Sequence, residues 1–446
     1  AFDGGTLKTL AGVTSSRSVT LNAGGGTIDT GGFDSTFGGV VDGSGRLTKS
    51  GTGRLSLTGT NAYSGGTVVS GGGTLAIGND AALGDVNGGV TFDNGTLQFL
   101  SSFNLANTRV LTLNAGGGTI DTNGFNTAVS QAIGGTGGLT KAGAGTLYLS
   151  AGNTYIGGTT ISGGAISISA NTALGHTAST ITFNGGTLLT PVDISLTQDI
   201  VLNGSGTIEN NQITRLNGVV SGSGDLIKSG SGVLALIAAN TFTGRLVVNQ
   251  SVVVLQDGVP LGNIVLAGGA SVNFQDYAFG RSSTYAGVIS GAGRVSQTGR
   301  GTLTLSGTNT YSGGTTVGGT DNSAILAVSS DANLGSSSGN IYFSGGRLKF
   351  LSSFDLASTR TVNLNNFGGT FALNGATTTF GGVIENAGRL TIEGPGTMTL
   401  SGTNTYLGGT AVRGGATLAI DNDARLGTGD LALDGASLPW IVSTGW

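Results

Sequence analysis

Short runs in which apolar and polar residues alternate recur along the chain. Examples are Leu55-Ser56-Leu57, Leu75-Ala76-Ile77, Thr96-Leu97-Gln98-Phe99 and Leu111-Thr112-Leu113. Alternation with a period of two over three to five residues predicts short, half-buried β-strands. Gly-Gly, Asn-Gly and Ser-Gly pairs separate the runs and supply the positive φ angles that sharp corners need. The pattern therefore predicts an all-β chain of short strands and tight turns.

One long unit is repeated five times. Its first copy begins Gly43-Ser44-Gly45-Arg46-Leu47-Thr48-Lys49 and continues to Asn61-Ala62-Tyr63-Ser64-Gly65-Gly66-Thr67. The five copies start near residues 43, 135, 222, 291 and 386. Their Asn-x-aromatic steps begin at Asn61, Asn153, Asn240, Asn309 and Asn404, so successive copies are 92, 87, 69 and 95 residues apart.

A second marker follows each aromatic residue within the repeat. It reads Asn79-Asp80-Ala81-Ala82-Leu83-Gly84 in the first copy and returns as Asn171–Gly175, Asp331–Gly335 and Asp423–Gly427, with a degenerate version at Asp257–Gly262. A capping Asn or Asp, a short Ala/Leu segment and a closing Gly predict a single turn of helix. We expect the Leu of this marker to point inward.

A unit of this length is too long for one coil of a solenoid. We interpret it as about four coils of roughly 20 to 25 residues. The whole chain, residues 1–446, is then predicted to be a single right-handed parallel β-helix of about 20 coils, which at roughly 4.8 Å per coil is about 95 Å long. In such a stack each coil buries its apolar residues against its neighbours, so stability is a sum of nearest-neighbour contributions.

Composition supports a folded, glycine-rich β-protein. Gly accounts for 87 of the 446 residues and Pro for only 4, while charged residues make up 9% of the chain. A hydrophobic share of 37% argues against disorder, which is associated with few apolar residues and high charge. The net charge of -4 and the lack of a basic cluster argue against nucleic acid as a partner.

The absence of certain residues excludes further chemistry. There are no cysteines, which excludes disulfides and thiolate metal sites. No apolar run in the sequence approaches the roughly 20 residues of a membrane-spanning helix. The motif Phe2-Asp3-Gly4-Gly5-Thr6-Leu7 matches Phe92–Leu97, and the chain ends in the same phase of the repeat, so we expect a fragment of a longer protein.

The repeated run Gly-x-Gly-x-Leu-x-Lys-x-Gly-x-Gly-x-Leu, followed by Asn-x-Tyr-x-Gly-Gly-Thr, resembles the autotransporter-associated β-strand repeat of type V secreted bacterial proteins. The third copy departs from it with Phe242 and Arg245, and the fourth and fifth copies replace the Lys with Gln297 and Ile392. The resemblance implies a passenger domain with a right-handed parallel β-helix, exported through a C-terminal barrel in the outer membrane and displayed at the cell surface. It indicates architecture and export route better than activity.

Catalytic residues are not evident. His176 is the only histidine, and the corresponding residues of the other copies are Asp85, Asn263, Ser336 and Thr428, so we interpret it as a turn residue. Gly335-Ser336-Ser337-Ser338-Gly339 formally matches a nucleophile elbow, but that motif requires a preceding strand and a following helix. Asp29 and Asp121 lie in matching positions a full repeat apart, which favours turn capping over a catalytic pair. We predict no enzyme, no cofactor and no metal site; Gly222-Ser223-Gly224-Asp225 is only a partial calcium motif.

Three features remain candidates for binding. Lys49, Lys141 and Lys228 share one strand position and are predicted to point outward, where they would keep sheets soluble or bind a ligand. The aromatic residues of the five steps could form a stripe for sugars or pack between coils; they are Tyr63, Tyr155, Phe242, Tyr311 and Tyr406. Trp440 and Trp446, at the C-terminus, could mark a capping region.

Two classes of function stay open at this point. The first is a structural or adhesive rod that contacts a host-cell or neighbouring bacterial surface, including its glycans, or associates weakly with itself through many repeated contacts. The second is a β-helical glycan-active enzyme, which would need at least two carboxylates within about 10 Å in one groove. An inert stalk for a missing effector domain is a further alternative.

Overall fold

The computed structural model describes residues 1–256, 262–275, 281–319 and 323–435. The chain divides into two compact units, Ala1–Leu226 (unit 1) and Ile227–Trp446 (unit 2). Short strands dominate both units, and the helical segments of the described residues are single 3₁₀ turns. The all-β prediction is confirmed.

Unit 1 consists of strands of two to five residues and two 3₁₀ turns, Asp80–Leu83 and Asn171–Leu174. In chain order its strands are β1 (Gly5–Lys8), β2 (Thr14–Ser15), β3 (Val19–Leu21), β4 (Gly26–Asp29), β5 (Ser35–Phe37), β6 (Val41–Gly43), β7 (Leu47–Ser50), β8 (Arg54–Leu57), β9 (Thr67–Ser70), β10 (Thr74–Ile77), β11 (Val90–Asp93), β12 (Gly95–Phe99), β13 (Leu111–Leu113), β14 (Gly118–Asp121), β15 (Thr127–Val129), β16 (Ile133–Gly135), β17 (Leu139–Ala142), β18 (Thr146–Leu149), β19 (Thr159–Ile161), β20 (Ala165–Ile168), β21 (Ile181–Phe183), β22 (Thr187–Thr190), β23 (Ile194–Leu196), β24 (Ile200–Leu202), β25 (Gly206–Asn210), β26 (Thr214–Leu216) and β27 (Val220–Gly222).

The described residues of unit 2 form the same kind of strands and two 3₁₀ turns, Asp331–Leu334 and Asp423–Arg425. Its strands are β28 (Leu226–Ser229, which begins on the last residue of unit 1), β29 (Leu234–Leu236), β30 (Leu246–Val248), β31 (Val252–Leu255), β32 (Ile264–Leu266), β33 (Ser271–Phe274), β34 (Ser282–Tyr285), β35 (Ile289–Gly291), β36 (Arg294–Gln297), β37 (Thr302–Leu305), β38 (Thr315–Gly318), β39 (Ile325–Val328), β40 (Ile341–Ser344), β41 (Arg347–Phe350), β42 (Thr361–Leu364), β43 (Gly369–Ala372), β44 (Thr377–Phe380), β45 (Val383–Glu385), β46 (Leu390–Glu393), β47 (Gly396–Leu400), β48 (Thr410–Arg413), β49 (Ala416–Ala419) and β50 (Leu431–Asp434).

Within each unit the sheets are parallel, and each strand pairs with the strand one turn later. Unit 1 contains the order β1-β4-β7-β9-β11-β13-β16 and the order β2-β5-β8-β10-β12-β14-β17-β19-β21-β24-β27. Unit 2 contains β34-β37-β39-β41-β43-β46-β48-β50, among others. Gly5 pairs with Gly26 and Gly26 with Leu47, so the chain advances by 21 residues per turn in these coils. This is the register of a parallel β-solenoid, with about 20 turns in the chain.

The interior is filled by apolar side chains stacked in register. Leu55, Leu75 and Leu97 pair in succession and are fully buried, as are Leu57, Ile77 and Phe99 in the row beside them. Burying a side chain of this size stabilises a fold by roughly 1.5 to 3 kcal/mol. Because each turn adds several such residues, the stack is stable without disulfides.

Three of the four described 3₁₀ turns close on glycine, as the second marker predicts, at Gly84, Gly175 and Gly335; the fourth closes on Leu426, one residue before Gly427. Asn79 caps the first turn by accepting a hydrogen bond from the backbone N–H of Ala82, and Leu83 is fully buried. The degenerate marker at Asp257–Gly262 and the two tryptophans, Trp440 and Trp446, lie largely or wholly outside the described residues.

Candidate functional site

The three repeated lysines point into the solenoid, so the prediction that they face outward is wrong. Lys49, Lys141 and Lys228 are fully buried. Lys49 occupies the inward row between Ile28 and Val69 in neighbouring turns. The alternation of the strand already implies this, because Leu47 and Lys49 are two residues apart and must share a face.

Each buried ammonium group supports a glycine corner. The Nζ atom of Lys49 donates hydrogen bonds to the carbonyls of Ser50 and Gly51, both at 2.7 Å. Lys141 makes the same two bonds, to Ala142 and Gly143 at 2.8 and 2.7 Å. Burial lowers the pKa of each of these two lysines to about 8. The Nζ atoms are therefore committed to the backbone and are not presented to an external ligand.

The fourth repeat shows that an uncharged hydrogen-bond donor can take the place of the lysine at this corner. Gln297 replaces the lysine there, is almost fully buried, and donates through Nε2 to the carbonyls of Gly299 and Gly301 at 3.5 and 3.1 Å. In the fifth repeat Ile392 takes the position and Pro395 lies in the corner that follows. The residue at this position is buried in all five repeats, so the position is a structural one.

The aromatic residues of the five steps pack inside the solenoid and form no surface stripe. Tyr63, Tyr155, Tyr311 and Tyr406 are fully buried, and each shares a hydrogen bond with a threonine four residues later, at 2.5 to 2.7 Å. The third repeat changes both members of this pair together, to Phe242 and Leu246. Burial raises the pKa of Tyr63 to about 12.

In the first, second, fourth and fifth steps the asparagine joins three successive turns. Asn61 accepts from the backbone N–H of Val41 at 2.8 Å and donates to the carbonyl of Ala82 at 2.7 Å. Asn153, Asn309 and Asn404 make equivalent pairs of bonds. One side chain thus bonds a backbone N–H 20 residues before it and a backbone carbonyl 21 residues after it.

Two buried arginines were not found by sequence reasoning. Arg109 is fully buried and holds the first 3₁₀ turn, with Nε and Nη2 each 3.0 Å from the carboxylate oxygens of Asp80 and Nη1 2.5 Å from the carbonyl of Gly88. Arg360 holds the carboxylate of Asp331 in the same way, at 2.7 and 2.9 Å. The signal was present in the sequence, because Leu100–Arg109 and Leu351–Arg360 are near copies of each other.

The residues considered for catalysis lie in turns. His176 is exposed, and its Nδ1 accepts a hydrogen bond from the backbone N–H of Ala178 at 3.2 Å. The Gly335–Gly339 run follows a 3₁₀ turn and leads to β40, the reverse of the strand-to-helix order of a nucleophile elbow. Asp29 and Asp121 each cap a turn by accepting a backbone N–H two residues ahead, at 2.8 Å. The hydrogen bond from Gly31 holds the pKa of Asp29 below its usual value.

Within the described ranges, no group of three or more His, Cys, Asp or Glu side chains is arranged to hold a metal ion. The part of the chain that the structure describes also has no helix long and apolar enough to cross a membrane.

The repeat signature is therefore internal, so contacts with other molecules fall to the outward residues. Unit 1 carries an outward row of threonines. This threonine row occupies one position on six consecutive turns, and its members are Thr74, Thr96, Thr119, Thr140, Thr160 and Thr182. All six are half-buried, with hydroxyls roughly 4.8 Å apart along the sheet. The row presents a regular array of donors and acceptors without charge.

A polar groove lies beside the threonine row. It has a volume of about 330 Å³ and is bordered by Thr96, Thr119 and Thr140 and by the glycine corner at residues 116–118. An equivalent groove of about 420 Å³ occurs one repeat earlier, beside Thr27, Thr48 and the corner at residues 24–26. The outer face of unit 1 thus repeats its shape as well as its chemistry.

Comparison with known proteins agrees with the resemblance noted in the sequence. The model of the passenger-associated transport repeat matches five segments, residues 47–77, 139–168, 226–250, 295–320 and 393–420. These segments correspond to the five repeats and begin four to seven residues after the predicted starts. The chain is also 31% identical over 166 residues to the adhesin BmaC autotransporter of Brucella suis biovar 1 (strain 1330). That match covers 37% of this chain but only 5% of the adhesin. No solved structure matches the chain.

Proposed function

We propose that this autotransporter passenger segment, which is exported through the outer membrane to the bacterial cell surface, acts there as an adhesive surface. Its repeated outward side chains would make many weak contacts with a host cell or a neighbouring bacterium. The observation that carries the proposal is the threonine row, which offers six hydroxyls in register on one face. Similarity to a protein named as an adhesin supports the same interpretation.

Adhesion through repeated contacts requires no single strong site. If each contact is weak, linking several of them raises the apparent affinity by a factor of about 10² to 10⁴ when all can engage at once. The threonine row meets this requirement because its members are equivalent and equally spaced. Weak self-association of two such rows would follow from the same geometry.

We prefer the adhesive interpretation to a glycan-cleaving enzyme because of how an enclosed carboxylate is paired. Cleavage by the usual route needs one carboxyl group to donate a proton and a second to act as base or nucleophile. Glu393, a largely enclosed carboxylate at the unit 2 surface, has its two oxygens occupied by Arg347 and Arg413. A carboxylate paired in this way holds the arginines in place and is poorly suited to act as a catalytic acid or base.

The test is to display the chain on cells that otherwise lack it and to measure clumping and attachment. A variant in which Thr96, Thr119, Thr140 and Thr160 are changed to Val keeps the shape and strand propensity of the row but removes its hydroxyls. We expect wild-type cells to attach and this variant to lose most of that attachment.

The matched control changes four half-buried threonines that form no single row, Thr304, Thr316, Thr391 and Thr399, to Val. This variant should attach like the wild type. Equal attachment by cells with and without the displayed chain would contradict the proposal and favour an inert stalk.

A further inference from the structure

The outer face of unit 2 carries a charged groove that differs from the neutral surface of unit 1. Its volume is about 500 Å³. Arg347, Lys349, Glu393 and Arg413 line it, together with Asp434 at one end. Charged residues make up only 9% of the chain, so five of them in one groove is a marked local concentration.

The charged side chains are placed by the register of the sheet. Lys349 pairs with Ala372, Ala372 with Glu393, Glu393 with Arg413, and Arg413 with Asp434. This charged row therefore has one member on each of five turns, roughly 4.8 Å apart. Arg347 stands two residues before Lys349 and shares its face, because strand side chains alternate.

Glu393 fixes the two arginines. Its Oε1 atom accepts from Nη1 of Arg347, and its Oε2 atom accepts from Nε and Nη2 of Arg413 at 3.2 and 2.9 Å. The Glu393 side chain is 15% exposed, whereas those of Arg347 and Arg413 are 41% and 45% exposed. Each guanidinium group carries five N–H donors, so both retain outward donors in a fixed orientation.

Lys349 supplies a cation that the protein itself does not neutralise. It is half-buried, and it has no ion-pair or hydrogen-bond partner among the described residues. Because Glu393 and Asp434 offset two of the three cations, the groove has a formal charge of +1 when both are ionised. A charge of this size matches one negative group on a ligand rather than a densely charged polymer.

The same groove has apolar walls. Ile325, Ala372 and Pro395 line it between the charged side chains. A sugar ring offers C–H groups that pack on such surfaces and hydroxyls that bind nearby carboxylates and guanidinium groups. The volume lies within the range of about 300 to 1,000 Å³ that is usual for small-molecule sites.

We propose that this groove binds a sugar unit carrying one carboxylate, a hexuronate within a glycan chain. The carboxylate is bound by Lys349 and the outward N–H groups of Arg347, while Arg413 and Asp434 bind the hydroxyls. The inference rests on the proposed adhesive function and gives it a ligand class, but the groove can be tested apart from adhesion.

The experiment measures binding of purified chain to a uronate oligosaccharide by calorimetry, with a neutral glucose oligosaccharide of equal length as comparison. The uronate should bind and the neutral sugar should not. Lys349→Gln should weaken binding about tenfold, the usual effect of losing one charged hydrogen bond. Ala372→Glu, which places a carboxylate between Lys349 and Glu393, should abolish it.

Lys8→Gln is the matched control, because Lys8 is the other lysine outside the repeat position and lies in unit 1. It removes the same charge and should leave binding unchanged. Equal binding of both sugars, or equal losses for the Lys8 and Lys349 variants, would overturn the proposal. If the uronate binds as expected but displaying cells do not attach, the adhesive function is wrong and the groove proposal stands. If cells attach but the uronate does not bind, the groove proposal is wrong and the adhesive function stands.

Discussion

The threonine row of unit 1 and the charged row of unit 2 occupy the same kind of position, one outward residue per turn on a parallel sheet. The first is uncharged and uniform, whereas the second runs Lys349, Ala372, Glu393, Arg413, Asp434. Beneath both rows the inward residues are alike, because every repeat buries an aromatic residue and stacks of Leu, Ile and Val. Stacking thus constrains the interior closely, and the exterior is free to differ between regions. The chain can hold one architecture while presenting two surface chemistries.

The comparison holds only if interior changes cost far more than exterior ones, and Arg109→Leu is the severest test. The change leaves the carboxylate of Asp80 and several carbonyls without their donor. Removing one partner of a buried ion pair costs about 3 to 5 kcal/mol. We expect hydrogen exchange at the amides of residues 80–88 to accelerate accordingly. Arg46→Leu, at an exposed position, is the control and should change the exchange of its own region little.

The buried lysines predict that stability rises with pH. Lys49 and Lys141 have pKa values of about 8 in the fold, against 10.5 in the unfolded chain. Between these values the unfolded chain binds more protons, so the free energy of unfolding increases as pH rises, by at most about 1.4 kcal/mol per pH unit for each lysine. Below pH 8 the cost of the buried charge is fully present. Urea unfolding between about pH 7 and 9.5 measures the slope and stays below the tyrosine pKa values.

Gln297 supplies the variant for that experiment. Lys49→Gln and Lys141→Gln keep donors at the glycine corners, as Gln297 does in the fourth repeat, but remove the titrating group. The double variant should have a flatter pH dependence than the wild type. An unchanged slope would mean that the lysines do not titrate in this range.

A smaller effect is expected from the residue pair that distinguishes the third repeat. Phe242→Tyr places a hydroxyl against Leu246, and an unsatisfied buried hydroxyl costs roughly 1 to 3 kcal/mol. Adding Leu246→Thr recreates the Tyr–Thr hydrogen bond of the other repeats, and we expect most of the loss to be recovered. Thermal unfolding of the two single variants and the double variant gives the coupling. If the stability losses of the two single variants simply add in the double variant, residues 242 and 246 do not form a coupled pair.

The sequence predicts features that depend on neighbouring residues better than features that depend on how distant turns stack. The alternating runs, the glycine corners and the Asn and Leu of the second marker predict the strands, the turns and the single helical turns, because these depend on neighbouring residues. The orientation of Lys49 was predicted wrongly because lysine was expected at the surface, although its two-residue spacing from Leu47 places it inside. The charged groove could not be predicted, because Lys349 and Glu393 meet only through the exact lengths of two intervening turns.

The smallest effect on stability is expected where the effect on function is largest. Changing Thr96, Thr119, Thr140 and Thr160 to Val should alter the free energy of unfolding by no more than about 0.5 kcal/mol per site, as is usual for surface positions. Val also has a high strand propensity, so the sheet should tolerate it. Unfolding midpoints equal to the wild type, together with lost cell attachment, would separate the surface from the architecture beneath it. A large drop in the midpoint would instead assign the hydroxyls of the row a structural role and remove the basis for treating it as a contact surface.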